Sequence, residues 1–110
     1  MLRIELIRDG HSNVSYLISG LVTNLRDAPL LDMSVLSPTP SRLRLDSVEF
    51  SVESGVKCFL SWPDSHCLPL EARGKFSLEW AGGLAGDQIL LSTVGRGNIF
   101  LALDFTKIGV

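Results

Sequence analysis

A chain of 110 residues and 12.0 kDa has the size of one ordinary domain, and two separate cores within that length would need metals or disulfides to hold them. Apolar residues make up 45% and charged residues 20%, a balance that buries a real core and excludes a disordered chain. Ten basic residues against twelve acidic ones give a net charge of −2 with the signs interspersed, which excludes the basic field that nucleic acid or an anionic membrane surface would require.

No run approaches the roughly 18 apolar residues of a membrane-spanning helix, and the opening Met-Leu-Arg-Ile-Glu-Leu-Ile-Arg carries charge where a secretory leader would be unbroken and apolar. The expectation is a soluble protein made and used without export. Leu2, Ile4 and Leu6 alternate with Arg3 and Glu5 up to Asp9-Gly10, and Val14, Tyr16 and Ile18 alternate with serines up to Gly20. These read as two antiparallel strands of an N-terminal hairpin. Leu21 to Leu25 reads as a brief strand or an irregular crossing. Leu31, Met33 and Val35 alternate with Asp32 and Ser34 in a further predicted strand, ended by Ser37-Pro38-Thr39-Pro40, whose prolines remove backbone donors and stiffen the connection.

Leu43 and Leu45 occupy odd positions, Val48, Phe50 and Val52 even ones. That change of phase predicts a β-bulge or bend at Asp46-Ser47. Val56, Cys58, Leu60 and Trp62 then alternate with Lys57, Phe59 and Ser61, so Ser41 to Asp64 reads as a long β-hairpin. A three-residue loop at Glu53-Ser54-Gly55, with Gly55 left-handed, would set Val52 against Val56, Phe50 against Cys58 and Val48 against Leu60. A two-residue loop at Ser54-Gly55 would slip the register by one and expose the apolar row, so polarity selects the first.

After the break at Trp62-Pro63-Asp64-Ser65, Cys67 to Ala72 is a short extended piece, and Phe76, Leu78 and Trp80 mark a strand ending at Trp80. Ala81 to Gly86 is too rich in glycine for a helix interior and reads as a loop. Ile89 and Leu91 open a strand through Thr93, Gly95-Arg96-Gly97-Asn98 turns the chain, and Ile99, Leu101, Leu103 and Phe105 form a last strand, apolar on both faces in its first half and therefore central. About eight short strands at intervals of roughly 8 to 12 residues, without an apolar stripe at helical spacing, predict a single all-β domain over residues 1–110, an antiparallel two-sheet sandwich of jelly-roll or immunoglobulin-like type.

Chemistry is sparse. Asp64, His66 and Cys67 supply the parts of a thiol nucleophile, but neighbours on a strand point to opposite faces, so exposed loop residues are the better reading. Two histidines and two cysteines lack metal-ligand spacing, and Gly82-Gly83 and Gly95-Arg96-Gly97 lack the lysine and following helix of a phosphate loop. Neither a catalytic residue, a metal nor a cofactor is expected. Cys58 and Cys67 suit a reduced protein, with a disulfide between them left open. Trp80 reads as core, whereas Trp62 fits either core or an aromatic platform for a sugar or a protein partner.

Asp9-Gly10 with Asn13-Val14, the run Leu36-Ser37-Pro38-Thr39-Pro40-Ser41-Arg42-Leu43-Arg44-Leu45, Val48 to Trp62 with its Gly55 turn, Gly82-Gly83, Gly86-Asp87-Gln88-Ile89-Leu90-Leu91-Ser92-Thr93, and a closing strand ending near Lys107 cover most of the chain. In that order they resemble the small virion structural proteins of tailed bacteriophages. The two cysteines and the short Val94 to Asn98 turn depart from that pattern. The resemblance implies a non-enzymatic homo-oligomeric subunit located in the virion, assembled in the host cytoplasm, with the major capsid protein or other virion proteins as partners. A capsid decoration (cement) protein is the first form of this expectation, a tail or head–tail connector component the second. A carbohydrate- or ligand-binding sandwich using Trp62 and a thiol enzyme at His66 and Cys67 are the readings from other classes. Leu2, Ile4 and Leu6 at the predicted edge, with Trp62, are the expected partner-binding residues.

Overall fold

A computed structural model describes residues 2–62, 67–78, 84–86 and 88–109. The strands are β1 (Leu2–Asp9), β2 (Asn13–Thr23), β3 (Ala28–Pro29), β4 (Arg42–Val52), β5 (Lys57–Ser61), β6 (Cys67–Leu70), β7 (Arg73–Ser77), β8 (Leu84–Gly86), β9 (Leu90–Val94) and β10 (Arg96–Ile108). One sheet has the order β1-β2-β10-β4-β7, with β8 also pairing β4, and the other has the order β3-β9-β5-β6. The pairings among the described residues are all antiparallel, and the fold is the two-sheet sandwich that the alternation predicts.

β10 lies between β2 and β4, aligning Leu101 with Ile18 on one side and Phe50 on the other. Ile99, Leu101, Leu103 and Phe105 point into a core completed from the second sheet by Cys58, Leu60, Leu70 and Leu91. The central position is as expected, but Phe100 faces outward and is exposed, so the first half of β10 is not buried on both sides. The phase change is also where expected. Ser47 opposes Asp104 and Leu45 opposes Phe105, leaving Asp46 as the extra residue. Its carboxylate accepts hydrogen bonds from Arg44 Nε at 2.7 Å and from the Thr106 hydroxyl.

The predicted hairpin between β4 and β5 is not formed. β4 pairs β10 and β7 in one sheet, and β5 pairs β9 and β6 in the other. Their apolar rows face each other across the core instead of lying side by side. Gly55 does have φ +92°, and Val56 N–H donates to the Glu53 carbonyl at 3.1 Å, so the corner has the expected left-handed glycine. A Cβ on Gly55 would meet nothing within 4 Å. Gly55→Val should therefore cost only the backbone strain, about 1 kcal/mol, measured as a shifted urea midpoint with an unchanged slope.

Further elements differ from expectation. β2 continues through Gly20, whose φ of +134° bends the strand without ending it, to Thr23. Met33–Val35 is a 3₁₀ turn, because the Asp32 carboxylate accepts from Ser34 N–H at 3.1 Å and caps it. The end of the glycine-rich stretch is β8, and β10 begins at Arg96 with only Gly95 between it and β9. The strand expected through Trp80 is β7, ending at Ser77. Trp80 and Gly82-Gly83 lie outside the described residues.

Candidate interaction surface

β1 pairs β2 from Leu2 opposite Gly20 to Asp9 opposite Val14, with a register shift that leaves Ile7 as the extra residue. Leu2, Ile4 and Leu6 consequently share the inward face with Ile18 and Tyr16. Leu2 packs against the core, but the opposing sheet starts at the two-residue β3 and does not cover Ile4 and Leu6. Ile4 remains 42% exposed, Leu6 38% and Ile7 59%. Between β1 and the segment that follows β3 lies a groove of about 350 Å³, lined by Ile4, Leu6, Tyr16, Leu31 and Val35 among others. Its far wall is fixed by Gln88, whose carbonyl accepts from Leu31 N–H at 2.8 Å and whose amide donates to the Leu31 carbonyl at 3.0 Å. Tyr16 packs edge-on against Phe105, with ring centres 6.0 Å apart. Its hydroxyl has no hydrogen-bond partner among the described residues, and burial first, then Asp32 and Asp9, push its pKa up.

The end of β1 is locked. Lys107 continues the inward series of β10, and its side chain is 0% exposed. Its ammonium donates to Asp9 Oδ1 at 2.7 Å, and Ser37 N–H donates to Asp9 Oδ2 at 2.9 Å. The Lys107 hydrogen bond and then the Ser37 amide hold the Asp9 carboxyl below its ordinary pKa. Sequence reading missed this pair. The signal was present in the odd-numbered inward row of β10, which runs through Lys107, and in the Ile7 bulge, which turns Asp9 to the core side.

Trp62 is only 3% exposed. It is a core residue, and the platform reading of its ring is corrected, because the alternation that carries Cys58 and Leu60 inward carries Trp62 with them. Leu2, Ile4 and Leu6 are brought together along one strand, and Trp62 is not part of that surface.

Cys58 is buried and Cys67 exposed, both as free thiols. They sit on opposite faces of their sheet, since Cys58 pairs Leu70 in the core row whereas Cys67 pairs Ser61, which excludes the bond left open above. Burial pushes the Cys58 thiol up to about 11, far from a reactive thiolate at neutral pH. Alkylation should modify one thiol per folded chain and two per unfolded chain, counted by intact mass. Asp64 and His66 lie outside the described residues, and His11 is exposed. No group of three or more His, Cys, Asp or Glu capable of holding a metal occurs among the described residues, and no helix among them is long and apolar enough to cross a membrane.

The outer face of the larger sheet is of mixed sign. Across its strands run the rows Arg3, Ser19, Phe100, Ser51, Arg73 and Glu5, Leu17, Ala102, Glu49, Lys75. Phe100 is thus flanked by both charges and lacks the continuous basic track that a nucleic-acid strand needs. Comparison with protein-family models, curated proteins and solved structures finds no match to this chain.

Proposed function

We propose that the chain is a non-enzymatic structural subunit that works by surface association, and specifically a capsid decoration protein of a tailed bacteriophage. The observation that carries the reading is the edge at β1, which presents Ile4, Leu6 and Ile7 to solvent along one eight-residue strand. An edge of this kind is a template for a neighbouring chain. The resemblance in turn and strand order noted above supplies the setting. Repeated copies on a symmetric shell would stabilise it by mass action, each bound copy favouring the assembled state. The test is to add the purified chain to shells assembled without it. Saturable co-sedimentation and regularly spaced density on the outer surface support the reading, and density confined to the tail would move the subunit there. Failure to bind either structure would overturn it.

A further inference from the structure

The other strands at the margins of the two sheets are poor templates. β3 has two residues and contains Pro29, β6 has four and contains Pro69, and β8 has three. β7 has five residues and includes Gly74. β1 has eight residues, no proline and no glycine, and its straight part is Leu2 to Leu6, before the bulge. Over those five residues the sequence is apolar, cation, apolar, anion, apolar. Arg3 and Glu5 already meet on the outer face at 2.5 Å.

We infer that β1 pairs antiparallel with β1 of a second copy of this chain about a two-fold axis through Ile4. The register follows from polarity. Directly opposed residues lie on the same face of a sheet, so the two apolar rows coincide only if each residue meets one of its own parity. Centring the pair on Arg3 sets two guanidinium groups against each other, and centring it on Glu5 sets two carboxylates together. Centring it on Leu6 runs the pairing through the bulge. Centring it on Ile4 places Arg3 opposite Glu5 of the second copy in both senses, and Leu2 opposite Leu6. The outer face then carries four alternating charges and the inner face one uninterrupted apolar strip. The larger sheets of the two copies become continuous, and the strip joins the Val35-lined grooves on either side of the axis. An isologous contact of this kind closes on itself, and it fits an oligomeric shell subunit. The inference deepens the proposed function and names its first partner, but particle binding and self-pairing are separate measurements and can fail separately.

Charge exchange tests the register without touching the core, since Arg3 and Glu5 lie on the outer face. In sedimentation velocity over a range of concentrations, the native chain is expected to form dimers. Arg3→Glu and Glu5→Arg each convert two attractive pairs into two repulsive ones and should each weaken dimerisation by about tenfold or more. Mixing the two variants restores both attractive pairs, so a heterodimer of near-native affinity should appear. A native chain that stays monomeric overturns the inference, as do single variants that dimerise like the native chain or a mixture that does not recover. Circular dichroism of each variant separates these outcomes from misfolding, and a misfolded single variant is replaced by Arg3→Gln or Glu5→Gln, for which the expected loss is smaller but of the same sign.

Discussion

Gly95→Val is expected to lower the unfolding free energy by about 3 kcal/mol or more, several times the effect of the same change at Gly55. Four passages between the sheets meet at one end of the sandwich: β2 to β3, β4 to β5, β6 to β7 and β9 to β10. They are stitched by Asn24 N–H to the Gly95 carbonyl at 3.1 Å, Gly95 N–H to Asn24 Oδ1 at 2.8 Å, Glu53 N–H to the Asn98 carbonyl at 3.0 Å and Val52 N–H to the Ala72 carbonyl at 2.6 Å. Gly95 has φ +95°, and a Cβ there would overlap the Gly55 carbonyl oxygen. Backbone at both corners would have to move, unlike at Gly55, where the space is open. Thermal and urea unfolding of the two variants side by side measures the difference, and equal destabilisation would show that the corners do not pack as described.

Lys107→Ala should also destabilise the fold, because it empties a side-chain site that is 0% exposed and strips the ammonium partner from the Asp9 carboxylate, which is 20% exposed. Lys107→Met, which refills the site with an apolar chain of similar length, should recover part of the loss, since the ammonium end of the pair is desolvated by burial. Acid adds an independent check. The folded chain keeps Asp9 ionised at pH values where the unfolded chain has already bound a proton, so this contribution is present above the ordinary value of 3.8 and is lost as the pH falls through the lower folded value. Asp9→Asn should therefore flatten the acid limb of stability against pH while leaving its slope near neutrality unchanged.

What the sequence discloses is which side chains face inward. The rows Val14-Tyr16-Ile18, Val48-Phe50-Val52, Cys58-Leu60-Trp62 and Ile99 to Phe105 are all core rows in the structure, and even the change of phase at Asp46 is visible. What alternation does not disclose is the neighbour in the sheet. β4 and β5 satisfy the same polarity as a hairpin or as opposed layers, and the choice is made by long-range pairing with β10 and β9. Met33 and Val35 illustrate a second limit, where a local side-chain cap at Asp32 overrides a two-residue period. The interaction surface was half legible. Position at a terminal strand made Leu2, Ile4 and Leu6 candidates, but Leu2 packs against the core, and the exposure of Ile4 and Leu6 arises from the shortness of β3, a property of the opposite sheet. Trp62 misled because an aromatic beside a proline turn has the same local pattern in a core as at a binding face.

The claim on which the functional account rests is that β1 is an association edge. Hydrogen exchange of the backbone amides from Leu2 to Leu6, followed at low and high protein concentration, tests it most directly. The account predicts that those β1 amides pointing away from β2 gain protection as concentration rises, while the amides of Arg73–Ser77 on β7 do not change. Protection in β1 that is independent of concentration, or a gain confined to β7, would contradict it.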